Sequence, residues 1–243
     1  LYGLAASWRQ KRAQIDSRAD IATLEANENN AREKYLKEAK KLSESRQQAA
    51  PRLAHAVSAL IQELGMQGGR FEVALSPSVQ PTASGLDEVS FLVAGHAGAA
   101  PRPVGKVASG GELSRIALAI AVTTSQLGEV QTLIFDEVDA GIGGTVAQTV
   151  GRLMRHVGMD RQVLAVTHLP QVAACADHHL VVTKQEASGT IASSVNEVVE
   201  GQRITEIARM IGVRLGSAAS LAQAREMLEW GRGGEGTAHF VTP

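Results

Sequence analysis

The segment Thr132-Leu-Ile-Phe-Asp136-Glu137 is an apolar run that ends in two adjacent carboxylates. A continuous Leu-Ile-Phe run suits a strand buried on both faces, and open α/β sheets take their ligands at the carboxyl ends of such strands. Adjacent acids repel unless a cation or a chemical task holds them together. In phosphate-transfer enzymes the first acid holds Mg²⁺ and the second orients or deprotonates the attacking water. An ordinary strand stopping at a polar turn has the same appearance, so this segment needs company.

Three further segments supply it. Ala108-Ser109-Gly110-Gly111-Glu112-Leu113-Ser114-Arg115 stands at the start of a helical pattern. A capping box, in which Ser109 and Glu112 satisfy each other's backbone donors, accounts for those two residues. It does not account for two glycines in a first turn, where they weaken a helix. Glycines there let an anion approach exposed backbone N–H groups at the positive end of the helix dipole, which is a way to read phosphate. Val163-Leu-Ala-Val-Thr-His168 is a second apolar run ending in a polar group. One helix joins it to the first run, which makes the two strands parallel and brings Asp136, Glu137 and His168 out at one sheet edge. Asp139-Ala-Gly-Ile-Gly-Gly144, directly after the carboxylates, adds an acid on a Gly-rich turn.

The elements that must position these groups follow from periodicity. Residues 8 to about 48 are rich in Ala, Glu, Lys, Arg and Gln, hold no Gly or Pro, and place Tyr35, Ala39, Leu42 and Ala49 at helical spacings along a narrow seam. So thin a seam needs a partner helix, as in one strand of an antiparallel coiled coil. Pro51 predicts a break or kink near Ala50, after which Leu53, Val57, Leu60, Ile61 and Leu64 resume a stronger face until Gly65–Gly69 ends it. The whole arm would run about 80 Å if straight. Strands are predicted over Phe71–Leu75 and Val89–Val93, with turns at Pro77, Pro81 and Gly85 and a loop over Gly95–Gly105. A helix is predicted from Gly111 to Leu127, with Leu113, Ile116, Ala117 and Ile120 on its inner side. Strand 132–135, helix 145–157, strand 163–167, helix 170–176 and strand 180–184 then alternate, the mark of a mostly parallel sheet covered by helices. Strand 191–199, helices 203–212 and 218–230, and a disordered tail over 231–243 complete the reading.

Composition fits this picture. The 243 residues hold 24 Lys and Arg against 25 Asp and Glu, with 44% hydrophobic and 3% aromatic residues. Residues 1–68 carry 11 basic and 8 acidic side chains and the rest 13 and 17, a split too mild to signal nucleic-acid binding by charge alone. Without an apolar run long enough to span a bilayer, a soluble, cytoplasmic protein with no membrane partner is expected. The single Cys175 excludes an internal disulfide and reads as a small buried hydrophobe. His178 and His179, adjacent on a strand, point opposite ways and cannot share a metal ion. Lys106 and Arg115 flank the glycines and are candidates for touching phosphate or DNA. The division expected is an arm over 1–68, a catalytic lobe over 69–230, and the tail.

In this order the four segments resemble the signature motif, Walker B, D-loop and switch histidine of the ATP-binding cassette ATPases. A helical arm leading straight into the signature-bearing lobe narrows the likeness to the structural-maintenance-of-chromosomes (SMC)-like group. Lys106–Arg115, Phe135–Gly144 and Val166–Ala174, with Ala176–His179 and Ile207–Met210, are similar to the RecN family of bacterial DNA-repair proteins. Ala108 stands where transporters carry Leu. The resemblance implies that Asp136 holds Mg²⁺, Glu137 is the catalytic base, and His168 contacts the γ-phosphate of ATP. It implies that Asp139 communicates across a dimer, and that Ser109, Gly110, Gly111 and Glu112 clasp the ATP of the opposite head. It further implies a homodimer of heads engaged by ATP and released by hydrolysis. Its setting would be double-strand break repair and recombination on double-stranded DNA with ends, in the nucleoid, with recombination proteins as possible partners.

No G-x-x-x-x-G-K-[S/T] loop occurs in these residues; Gly105-Lys106 is followed by Val107. Nothing here would cradle a β-phosphate. The resemblance puts that loop in an N-terminal half, and the chain starts at Leu1 inside a helical pattern, so a segment of a longer protein, inactive alone, is expected. Two other readings are a non-catalytic coiled-coil scaffold and another chromosome-structuring ATPase of the same group.

Overall fold

Helix-favouring composition, with no Gly or Pro between residues 8 and 48, makes the first quarter of the chain largely helical. In the computed structural model, which describes residues 2–18, 21–106, 109–125, 130–187, 190–212 and 217–233, helix α1 spans Tyr2–Arg18 and α2 spans Ile21–Glu63. Ala108 and most of the predicted tail lie outside the described residues. Of the break or kink expected near Ala50, a break does not occur, and α2 runs through Pro51. Proline removes one N–H from the ladder, and a helix this long, packed along its later turns, absorbs that loss. Helix α2 ends where Gly65 takes the left-handed conformation (φ +86°), with Met66 N–H donating to Ile61 O and Gly65 N–H to Gln62 O. This is a Schellman cap, and it folds Met66 back onto Ile61 in the core.

The chain forms two compact units, Leu1–Ala49 with Leu75–Val89, and Ala50–Ala74 with Ser90–Pro243. In the first, the seam of α2 meets the tip of a hairpin made by β1 (Arg70–Thr82) and β2 (Gly85–Ala94). Tyr35 Oη lies 3.0 Å from both Thr82 O and Gly85 O, Ser43 Oγ donates to Asp87 at 2.6 Å, and Arg46 pairs with Asp87 at 3.3 Å. The contact face is thus Tyr35, Ala39, Leu42, Ser43 and Arg46, Leu42 lying against Gly85 while partly exposed, and Ala49 of the predicted seam is exposed. Strand β1 is longer than expected and contains Pro77 and Pro81, which it tolerates because it lies at the edge of the sheet β1-β2-β3.

In the second unit the predicted loop 95–105 contains β3 (Arg102–Pro103), antiparallel to β2, and a 3₁₀ turn, Val104–Lys106. Helix α3 (Gly110–Thr123) buries Arg115, Ile116, Leu118, Ala119 and Val122, while Leu113 and Ala117 are exposed. Its apolar residues go nearly all the way round, so spacing alone could not choose the inner face. Strand β4 (Thr132–Phe135), helix α4 (Gly144–Gly158) and strand β5 (Gln162–Ala165) form a crossover in which β4 and β5 pair in parallel, Ile134 opposite Leu164 and Phe135 opposite Ala165. Helix α5 (Pro170–Ala174) follows, then an antiparallel hairpin of β6 (Leu180–Ala187) and β7 (Thr190–Glu197), and helices α6 (Glu200–Ile211) and α7 (Ala218–Gly231).

One core joins Val57, Ile61 and Leu64 of α2 with Phe71, Ile116, Leu118, Phe135, Val150 and Leu153; a smaller one joins α5, α6 and α7 through Ala174, Ile207, Ala224 and Leu228. The apolar run of β4 is buried on one face, not two. Phe135 is 5% exposed, whereas Ile134 is 70%, and Leu164 and Val166 on the neighbouring strand are 43% and 64%.

Candidate functional site

The parallel ladder extends one step past its strands, with Val166 N–H donating to Phe135 O at 3.0 Å. The turn 136–140 and the segment 166–169 therefore leave the same edge side by side. The start of α3 packs against that turn and joins it by side chains. Ser114 Oγ donates to Asp136 O at 2.6 Å, and the buried Arg115 donates from Nη1 to Ala140 O at 2.9 Å and to Val138 O at 3.4 Å. Sequence reading placed Arg115 at phosphate or DNA; instead it is a buried strut whose guanidinium replaces backbone donors that a tight turn cannot supply. Burial lowers its ionisation against the opposing pull of Glu112, yet an arginine stays charged.

Ser109 caps α3, accepting from Glu112 N–H at 3.5 Å. The carboxylate of Glu112 lies toward Gly95, Oε2 being 4.0 Å from where a Cβ of that glycine would stand. Gly111 is buried, and its missing side chain is explained within the chain. A Cβ there would come within 3.0 Å of Ala140 Cβ and 3.1 Å of both Ala140 O and Glu137 O. Gly110 is exposed and faces the Glu137 carboxylate.

Asp136 is exposed, and its Oδ1 accepts the Glu137 N–H at 3.0 Å. Glu137 has φ +53°, a left-handed backbone that is uncommon for any residue other than Gly and that recurs at functional turns. This conformation turns its side chain toward α3. Asp139 is buried, and its Oδ2 accepts from Thr167 Oγ1 at 2.5 Å, His168 N at 3.0 Å and Leu169 N at 3.3 Å, with His168 Nδ1 also at 3.3 Å. The imidazole itself is exposed. Among the described residues, then, Glu137 meets Gly110 and Gly111, and Asp139 meets His168. Ser114 and Thr167 went unnoticed in the sequence because their work is done through hydroxyls 22 and 28 residues from their partners. Elsewhere, His178 Nδ1 lies 2.9 Å from Glu197, while His179 is half-buried, its protonation disfavoured by burial and by Arg203 against the pull of Glu206.

Among the described residues no group of three or more His, Cys, Asp or Glu is placed to hold a metal. Asp136 offers one exposed carboxylate, which fits Mg²⁺ that arrives with a nucleotide and keeps its waters and phosphate ligands.

No protein-family model matches the chain. It is 43% identical over 195 residues to the DNA repair protein RecN of Vibrio cholerae, across 80% of this chain and 35% of that protein. It is 41% identical over 233 residues to the DNA repair protein RecN of Xylella fastidiosa, across 93% of this chain and 42% of that protein. The chain thus spans 35–42% of the length of these curated relatives. Among solved structures it is similar, at TM-score 0.52 and 20% identity, to the Smc head domain with a coiled coil and joint from Pyrococcus yayanosii, over 90% of this chain and 37% of that one. The chain is therefore RecN-like in sequence over most of its length, and its α/β fold is that of part of an Smc head domain with its coiled coil.

Proposed function

We propose that this chain is the C-terminal part of an SMC-like ATPase that works in DNA double-strand break repair and recombination; the printed name of its relatives, DNA repair protein RecN, supports the repair setting. Residues 1–68 are the returning coiled-coil arm, with the turns from Ala50 onward packed in the head; residues 69–230 are the head lobe and 231–243 a tail. Two heads sandwich two ATP molecules. Each site takes Asp136, Glu137 and His168 from one head and Ser109, Gly110, Gly111 and Glu112 from the other.

In this reading Glu137 accepts a proton from the attacking water, a contribution worth about 10²–10⁴ in rate for a positioned base. Asp136 holds the Mg²⁺ of Mg–ATP, whose charge offsets that developing on the phosphates. The helix start at Ser109 meets the other head's γ-phosphate with its N–H groups. ATP pairs the heads and hydrolysis parts them on double-stranded DNA with ends, in the cytoplasm at the nucleoid, where recombination proteins are candidate partners.

The observation that carries the reading is the convergence of Glu137, Asp139, His168 and the start of α3 at the carboxyl end of one parallel strand pair. The open face of that pair supports it. Parallel strands are covered on both faces, so exposed Ile134, Leu164 and Val166 suit a covering segment, here the N-terminal half with the phosphate-cradling loop. Exposed Leu4, Trp8, Ile21 and Leu24 along α1 and α2 likewise suit a partner helix.

Gel filtration of the chain reunited with its N-terminal half tests the proposal. With ATP, E137Q should elute as a paired head species and S109R should not. Equal elution of the two variants would refute the division of roles. This chain by itself should not turn over ATP.

A further inference from the structure

We infer that Asp139 acts within its own head as the positioning residue of His168, setting the orientation of the imidazole and which ring nitrogen carries its proton. That His168 meets the nucleotide rests on the function proposed above; the pairing itself rests on geometry alone.

The side chain of Asp139 is 3% exposed, so it has no free surface to offer a second head. Its Oδ2 receives hydrogen bonds from Thr167 Oγ1, His168 N and Leu169 N, three consecutive residues just past the end of β5. Thr167 Oγ1 in turn accepts Leu169 N–H at 3.0 Å. These bonds shape the segment that presents the ring. The ring lies beside the same oxygen, its Nδ1 3.3 Å away. A carboxylate only accepts, so this approach favours the tautomer with the proton on Nδ1. The partner of one ring nitrogen decides the state of the other, and a buried acid in this place is a known way to hold an imidazole in one tautomer and one orientation.

With Nδ1–H committed to Asp139, Nε2 is left for the substrate. The ring projects into solvent, its side chain 72% exposed, with one end tied and the other available. In the neutral ring Nε2 accepts a hydrogen bond from the attacking water; in the protonated ring it donates to a phosphoryl oxygen. Without Asp139 the ring would turn freely, and either nitrogen could face the site.

The test reads the proton directly. Histidine-selective ¹⁵N labelling of the 243-residue chain, with His168 assigned through H168Q, distinguishes a protonated from a bare Nδ1 by its chemical shift. The wild type should show a protonated Nδ1. D139A should move the proton toward Nε2, with Nδ1 shifting downfield, while T167V, which loosens the segment but keeps the acid, should not. A bare Nδ1 in the wild type overturns the inference even if D139A fails to fold. So does a D139A spectrum unchanged from wild type, or a T167V spectrum that shifts as D139A does.

Turnover of the reunited polypeptide gives a second readout. D139A and H168A should each lower kcat, and the double variant should be no slower than H168A; losses that multiply would place Asp139 elsewhere. If neither E137Q nor H168A affects turnover, the ATPase reading fails, and the ¹⁵N result still decides this one.

Discussion

The carboxylate of Glu137 lies over Gly110, so close that a Cβ on the glycine would stand 2.7 Å from Glu137 Oε2. What it would meet is the far end of a flexible, exposed side chain, which can move away. Alanine also suits a helix better than glycine, by about 0.5–1 kcal/mol. G110A should therefore leave thermal stability unchanged or raise it while displacing Glu137, so the reunited ATPase should slow without any loss of fold.

Gly111 differs from its neighbour although both belong to one helical turn. Its Cβ would meet the backbone of Glu137 and Ala140, which cannot move aside cheaply. Overpacking of this kind costs about 1–3 kcal/mol and outweighs the helical preference for alanine. G111A should lower the urea midpoint at unchanged slope. A midpoint equal to that of G110A would show that the turn is not packed on α3.

R115M keeps an unbranched chain of similar length but removes the donors to Val138 O and Ala140 O. Hydrogen bonds from a charged group are each worth about 1.5–3 kcal/mol. With two such bonds lost, destabilisation of at least about 1.5–3 kcal/mol is expected, with faster hydrogen exchange at residues 138–142 than at the centre of α4. Uniform exchange across the unit would contradict the strut.

Burial pushes the thiol of Cys175 up to about 11, against the attraction of Arg155, Arg152 and Arg203 for the thiolate. In the unfolded chain a cysteine ionises near about 8.5. Between these values the unfolded state holds fewer protons than the folded one, so this contribution is present below about pH 8.5 and is lost as pH rises toward 11, at about 1.4 kcal/mol per pH unit. Urea midpoints of wild type and C175A measured from pH 7 to 10 should show the wild type losing more. Iodoacetamide at pH 8 should modify Cys175 in urea and spare it in the native chain.

Much of this arrangement is legible from local patterns. Two apolar runs joined by one helix force a parallel pair, and a parallel pair forces Asp136, Glu137 and His168 to one edge. What spacing does not carry is which partner a polar side chain takes across 20 to 30 residues. Arg115 looked like a group for phosphate or DNA and is bonded to the turn, while Asp139 is bonded to Thr167, His168 and Leu169. The diglycine has a partner within the chain for the same reason: the turn that presses on Gly111 is distant in sequence. Proline was overread. At Pro51 a long helix, and at Pro77 and Pro81 an edge strand, need no N–H from that residue. Exposed Ile134 shows the reverse limit, since an apolar run does not say whether both faces of the strand are covered within these residues.

The role of Glu137 is tested most directly by magnesium-dependent ATP hydrolysis of this chain copurified with its N-terminal half, wild type against E137Q. Hydrolysis by the wild type, slowed about 10²–10⁴-fold in E137Q with ATP-dependent pairing of heads retained, is the expected result. An E137Q protein that hydrolyses ATP at the wild-type rate would contradict it.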